Sequence, residues 1–530
     1  MVLTTTRSAQ QIAMSAPVTM DQALQGRNTG WFADRGIITV NLILVLSQIS
    51  SYATGYDGSM MNGLQSLDEW KEFFHQPGAS TLALLNAIQN VGQLAALPFC
   101  AYACDHFGRK KTLVFGAWIM LLGVGLQGGA QNNGMFIAAR GIIGFGLGFN
   151  ITAAPILIME LAFPTQKAPM VSIYNSLWNM GAIVAAWTTY GTFRIANTWA
   201  WRIPSILQAL SSFVQILCMW WIVESPRWLV SKDRCDEAQA IITRYHANSN
   251  PYDPIVLVEL EEIKEAIRIE KESASGGSYK AFFQTRGNKL RFFIILAVGF
   301  FSQWSGGGLI SYYLTLILDS IGIKDQETQT LINGILTIWN LVTALGFSLV
   351  VNKFKRRTMF LTSTAGMLVC YIIWTALEST FEKQVDATGT GSPAVGRAVL
   401  AMIFIYNAVF NIAWAPLQVT YVVEILPYQM RARGLVLYNL FVACALIFNQ
   451  YANPIALTAI KWKYYIVYDV WLLVELVVVY FLFVETSGSS LEEMAAIIDG
   501  EEARDGIIEA VAKVADGKER GVVVSEQPVA

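Results

Sequence analysis

Asp57 stands in Gly55-Tyr56-Asp57-Gly58, at the far end of an apolar run that begins near Gly36 and holds no other Asp, Glu, Lys, Arg or His. A carboxylate that deep in a lipid-spanning helix is costly, and it marks the path of a substrate, an ion or a proton. Arg140 is the matching base, the one charged residue in the apolar run from Gly134 to Met159. An acid and a base buried in two such runs read as the coupling pair, Asp57 and Arg140, of a transporter.

The elements that must hold this pair follow from composition. The chain has 530 residues, 54% hydrophobic and 14% charged, with a net charge of −2. Soluble chains carry about 25% charged residues, so most of this surface must face lipid. The near-neutral balance gives no basic field for nucleic acid. The six cysteines show no CxxC pair and no nearby histidine, so neither metal nor cofactor is expected. No nucleophile and base pair suggests an enzyme. The first thirty residues lack a contiguous apolar stretch, which gives no sign of a cleaved signal peptide.

Runs of about 20 apolar residues suffice to cross a bilayer, and the sequence predicts twelve. Six precede the charged middle: Gly36 to Tyr56, Thr81 to Ala103, Leu113 to Ala130, Met135 to Ile158, Met170 to Tyr190 and Ile203 to Val223. Six follow it: Phe292 to Leu318, Leu331 to Val351, Met359 to Leu377, Ala398 to Val422, Gly434 to Asn453 and Tyr464 to Val484. The expectation is an all-α membrane protein: a tail over 1–35, a six-helix half over 36–223, a linker over 224–290, a second half over 291–484 and a tail over 485–530. Within the linker, dense Glu and Lys spacing from Asp253 to Lys271 suits a solvated surface helix, and Ser273 to Ser278 a flexible link.

Short motifs repeat between the halves. Asp105-His106-Phe107-Gly108-Arg109-Lys110-Lys111 after span two answers Asn352-Lys353-Phe354-Lys355-Arg356-Arg357 after span eight. Glu160, Pro164 and Lys167 answer Glu424, Pro427 and Arg431, and Glu224-Ser225-Pro226-Arg227 answers Glu485-Thr486. With Trp199-Ala200-Trp201-Arg202-Ile203-Pro204, Gln303-Trp304-Ser305-Gly306 and Glu424-Ile425-Leu426-Pro427-Tyr428, the chain resembles the sugar porter family of the major facilitator superfamily, and within it the fungal cellodextrin and lactose permeases. The resemblance implies a major facilitator fold of 12 transmembrane helices and a monomeric, proton-coupled sugar transporter of the plasma membrane, working by alternating access.

Lysine and arginine placement gives an orientation. With the N-terminus inside, the inner loops cluster ten of these residues at span ends and the outer loops scatter eight, so both tails and the linker are expected in the cytoplasm. At 1.5 Å per residue, Gln303, Asn340, Asn179, Trp414 and Asn449 all fall about 17–22 Å from the inner ends of their spans, near the midplane. Asp57 and Arg140 fall in the outer part.

Amide side chains suit a sugar, whose hydroxyls both donate and accept, and aromatics such as Tyr312, Trp414 and Trp178 would cover its ring faces. The resemblance adds Asn175 as the span-five amide and implies ligand roles for Gln303 and Asn340; Asn439 joins Asn179 and Asn449 as a further candidate. Where many monosaccharide porters have Gln-Gln-Leu-Ser-Gly-x-Asn, this chain has Ser302-Gln303-Trp304-Ser305-Gly306-Gly307-Gly308. Glycines there are expected to widen the site for a disaccharide or short oligosaccharide. The alternatives are a monosaccharide or polyol transporter, an uncoupled facilitator, or a sugar sensor. Such amides also serve as helix–helix glue, an alternative that weighs most for Asn179, Asn439 and Asn449. Glu475 and Asp469 lie in the last span, which usually packs peripherally, and are ambiguous.

The resemblance also implies a cytoplasmic gate in which Asp105 with Arg109, Glu160, Glu224 with Arg227, Arg356, Glu424 with Arg431, and Glu485 form ion pairs that hold the halves together when the site faces outward. Asn352 and Lys355 depart from the family pattern and are expected to weaken its second copy. Two lookalikes are set aside: Gly123 to Gly128 matches GxGxxG inside a span, where close packing explains it, and the Asn150-Ile151-Thr152 sequon is buried in span four.

Overall fold

The computed structural model describes residues 20–25, 30–32, 34–274, 279–426, 430–487 and 498. All its regular elements are helices, as lipid requires of a backbone that must satisfy its own hydrogen bonds. Among the described residues, ten helical segments have the length and apolarity to cross a membrane. They are span one (Arg35–Ser66), two (Ala79–Phe107), three (Arg109–Gly128), four (Asn133–Leu161), seven (Arg286–Ser320), eight (Gln326–Val350), nine (Arg356–Thr388), ten (Pro393–Phe410), eleven (Arg433–Ile460) and twelve (Lys463–Leu482). Span five is the 26-residue helix Lys167–Thr192. Span six is interrupted, Trp199–Leu207 and then Ala209–Leu217.

Helix starts follow capping chemistry. Asn132 accepts from the Met135 N–H before span four and Asp325 from the Thr328 N–H before span eight, each satisfying a donor that the first turn leaves unpaired. Span one runs ten residues past its expected end at Tyr56, to Ser66. At 1.5 Å per residue it is about 48 Å long, more than a ~30 Å lipid core requires.

The chain divides into two compact units that cut across the sequence halves. One takes the residues up to Asp57 with Val91–Gly181 and Ser205–Ser275; the other takes Gly58–Asn90, Ala182–Pro204 and the residues from Gly276. In the first unit spans one and five cross where glycine lets backbones touch. A Cβ on Gly55 would collide with the Trp178 carbonyl, and one on Gly181 with that of Tyr52. Gly123 and Gly128 of the GxGxxG lookalike sit tightly against Ile143 and Ile206, while Gly125 faces open space.

The linker also belongs to this unit. It forms helices Pro226–Ser231, Cys235–His246 and Pro254–Ala274. The last is not wholly solvated as expected, because Ile255, Val256 and Leu260 bury against Trp228, Ile242 and Phe163. His246 ties the layer to span four: its Nδ1 is 2.7 Å from Glu259 Oε2 and its Nε2 3.1 Å from the Leu161 carbonyl. Burial alone would raise the Glu259 carboxyl, but the charge and hydrogen bond of His246, with the charge of Lys167, hold it below its usual value. The expected link overlaps this helix at Ser273 and Ala274 and otherwise lies outside the described residues.

In the second unit span seven breaks between Trp304 and Gly307, where Gly306 takes a φ of 100°. That left-handed conformation suits glycine. The break exposes carbonyls that neighbouring phenols satisfy: Tyr406 donates to Ser305 O at 3.0 Å and Tyr371 to Gly306 O at 2.8 Å. Span twelve packs at the edge of the unit, with Val470, Val474 and Val477 exposed. One face of it, Tyr464, Tyr465, Tyr468, Leu472, Glu475 and Val479, is buried.

Candidate functional site

Asp57 is completely buried. The amide of Gln208 donates to its Oδ1, while Oδ2 has no hydrogen-bond partner. Gln208 lies at the interruption of span six, four residues past Pro204, which has no N–H to give the helix. Arg140, also buried, acts on Asp57 through space. Both expected residues therefore come together, and Gln208 is an addition that the sequence reading missed. Its signal was a polar side chain in an apolar run, just after a proline.

Asn175 and Asn179 lie one turn apart on span five of this same unit, Asn175 exposed and Asn179 half-buried. The remaining candidates belong to the second unit. Gln303 and Tyr312 flank the span-seven break, half-buried, and Gln303 Nε2 reaches Ser302 Oγ at 3.3 Å. Asn340 is half-buried and accepts from Asn411 at 2.9 Å, an interhelical bond to a residue that the sequence did not flag. Asn439 is exposed on span eleven.

Two expected pocket residues are instead in the packed interior. Trp414 is fully buried, donates to Thr364 Oγ1 at 3.2 Å and packs edge-on to Phe301 and Phe360. Asn449 is 1% exposed. It donates to the Gln303 carbonyl at 2.8 Å, and its Oδ1 accepts from Asn453 and from Tyr468. Nor do the span-seven glycines open space. A Cβ on Gly308 would strike the Asn449 amide, one on Gly306 the Tyr371 ring and one on Gly307 would touch Tyr406. The room that they leave is filled by protein, which removes the sequence argument for a larger ligand.

At the Ser66 end of span one, side-chain hydrogen bonds tie this helix to span seven within the second unit. Asn62 Nδ2 donates to the Ser311 carbonyl at 2.7 Å and its Oδ1 accepts from the Leu314 N–H at 3.3 Å. Gln65 donates to Tyr312 O at 3.1 Å, and Ser66 meets Thr315 at 3.0 Å. Asn90 of span two adds a 2.5 Å bond to Gln450 of span eleven. Each bond joins spans one or two to spans seven or eleven. Span one was expected to end before Asn62 and Gln65, so neither drew notice.

The repeated charge motifs form two matching networks. In the first unit Arg109 pairs with Glu160 at 3.0 Å, with Asp105 3.9 Å away, and Glu224 accepts from the N–H groups of Arg109, Lys110 and Ser225. Burial raises the Glu224 carboxyl above its usual value, against those N–H bonds and the Arg109 charge. In the second unit Arg356 pairs with Glu424 at 3.5 Å, and Glu485 accepts from the N–H groups of Arg356, Arg357 and Ser487. Glu224 and Glu485 thus each sit on a helix N-terminus, where a carboxylate meets unpaired N–H groups and the positive dipole end. Arg227 is half-buried. One expected pair is corrected: Glu424 is held by Arg356 and Thr486, while Arg431 donates to the Leu426 carbonyl. Pro427 and Tyr428 lie outside the described residues.

The chain is 27% identical over 455 residues to the MFS-type transporter criB of Aspergillus cristatus, covering 86% of this chain and 92% of that one. It is 26% identical over 475 residues to the high-affinity glucose transporter of Kluyveromyces lactis, covering 86% and 85%. Among solved structures it is similar to the inward-open xylose transporter XylE from E. coli, with a TM-score of 0.69 at 19% identity over 87% of this chain and 100% of that one, a likeness of fold. Residues 43–498 match the family described as Sugar (and other) transporter. The chain therefore belongs to that family, as a multi-pass membrane transport protein of the major facilitator fold and not an enzyme.

Proposed function

We propose that the protein is a proton-coupled importer of a monosaccharide. Coupling rests on one observation: a fully buried Asp57 whose Oδ1 is held by Gln208 and whose Oδ2 has no hydrogen-bond partner. An oxygen in that position is a landing place for a proton, and Arg140 is the charge that competes for the carboxylate when the proton leaves. The ligand class is supported by relatives named as glucose and hexose transporters, and by the filled space beside Gly306, Gly307 and Gly308. Gln303, Asn340 and Asn439, all of the second unit, are the amides proposed to meet its hydroxyls. A disaccharide or cellodextrin is the second reading, carried now only by the resemblance.

In this reading the motif ends at Arg109 and Arg356 face the cytoplasm with both tails, the protein is a plasma-membrane monomer, and the Asn62 bonds close the outer gate. Uptake of labelled glucose, xylose and cellobiose into yeast cells lacking their own carriers tests the ligand. Glucose or xylose uptake with none of cellobiose supports it; cellobiose uptake alone overturns it.

A further inference from the structure

The coupling pair leaves a second buried acid unused. Glu475 lies about 18 Å along span twelve from Lys463 and is fully buried. Both its oxygens contact Ser305 Oγ, at 3.0 and 2.9 Å. The same Oγ is bonded to the Phe301 carbonyl one turn back. A serine hydroxyl has one hydrogen, and a carbonyl oxygen only accepts. If that hydrogen goes to Phe301, the contact with Glu475 needs a hydrogen from Glu475 itself. If it goes to Glu475, two oxygen lone pairs face each other at Phe301. A protonated Glu475 removes the conflict: its own O–H donates to Ser305 Oγ, which keeps its hydrogen for Phe301.

Its surroundings agree. The groups acting on Glu475 are Ser305 and Trp471, with no cation among them. The titratable groups nearby are phenols and a thiol: Tyr406 of span ten, the Tyr371 and Cys370 of span nine beside Tyr406, and Tyr468 on its own helix. An ionised carboxylate buried there would lack the pairing that buried charges require. The acid also touches the break that carries Gln303, whose two carbonyls are held by Tyr406 and Tyr371.

We propose that Glu475 is a second proton-binding site, which holds its proton while span seven is bent at Ser305–Gly306 and gives it to water when that bend rearranges. The proposal rests on the transporter reading only for its place in the cycle. The occupancy of the site is measured without transport, by infrared difference spectroscopy on purified protein in lipid.

In the Asp57→Asn, Glu378→Gln background, which removes the other buried carboxyls of spans one and nine, the carbonyl stretch of a protonated carboxyl is recorded between pH 5 and pH 9 with and without Glu475→Gln. Glutamine has the shape of the protonated acid and donates to Ser305, so the variant is expected to fold with an unchanged melting temperature. The expected result is a band that titrates and disappears with Glu475→Gln. A band unaffected by the substitution, or absent from both proteins, overturns the proposal. In the otherwise wild-type chain, Glu475→Gln is expected to flatten the pH profile of sugar exchange while leaving its rate at pH 5 within about twofold; an unchanged profile contradicts the role in the cycle.

Discussion

Gln208 donates its side-chain amide to Asp57 from the very residue at which span six is interrupted. Losing that donor leaves a buried carboxylate oxygen unsatisfied, which costs about 1–3 kcal/mol. Gln208→Leu is therefore expected to slow proton-driven uptake about tenfold, with protein abundance at the membrane unchanged. Uptake at the wild-type rate would show that Gln208 does not position Asp57.

Gly308 faces the Asn449 amide with no space for a methyl group. Gly308→Ala overpacks this contact, at a cost of about 1–3 kcal/mol. The melting temperature should fall, and in an Asn449→Ala background the same Gly308→Ala substitution should lower it by less. If the single variant melts normally and begins to exclude substrate, the glycine lines the ligand site after all.

Asn62 and Gln65 tie the Ser66 end of span one to span seven. Replacing both by alanine removes the side-chain bonds to Ser311, Leu314 and Tyr312, each worth about 1 kcal/mol net. Labelling of a cysteine placed at Ser311 by a membrane-impermeant thiol reagent should speed up several-fold. Unchanged labelling would show that these bonds do not hold the gate.

The His246–Glu259 contact predicts an acid limit for the linker. Glu259 is held below its usual value, so its contribution to stability is complete above the ordinary carboxyl pKa of 4.5 and is lost as the pH falls through its lowered folded value. His246→Ala leaves a buried carboxylate without its partner, at a cost of about 3 kcal/mol. Limited proteolysis should then cut the Pro254–Ala274 helix faster at pH 7. Equal cutting would show that the pair does not dock the layer.

The fold was legible because lipid leaves few choices: long apolar runs must be helices, and the paired motifs at Arg109 and Arg356 give away the repeat. Asp57 and Arg140 were legible because charge is rare in such runs. Asn62 and Gln65 were not, since polarity past a span end reads as loop until the helix is seen to continue to Ser66 and to bond span seven. Gln208 was not, because a lone amide in an apolar run reads as helix packing until Asp57 is seen beside it. The glycines at 306–308 misled for a related reason. A missing side chain looks like space for ligand, and only packing shows that Tyr371, Tyr406 and Asn449 occupy it. Trp414 looked like a pocket wall because depth alone does not tell which face of a helix is buried.

The central claim is that Asp57 couples proton and sugar. The direct measurement is glucose accumulation in proteoliposomes with an imposed pH gradient, acid outside, compared with glucose exchange at equilibrium, for the wild-type protein and Asp57→Asn. The account predicts protonophore-sensitive accumulation by the wild type, and exchange without accumulation by Asp57→Asn. Accumulation by Asp57→Asn to the wild-type level would contradict it.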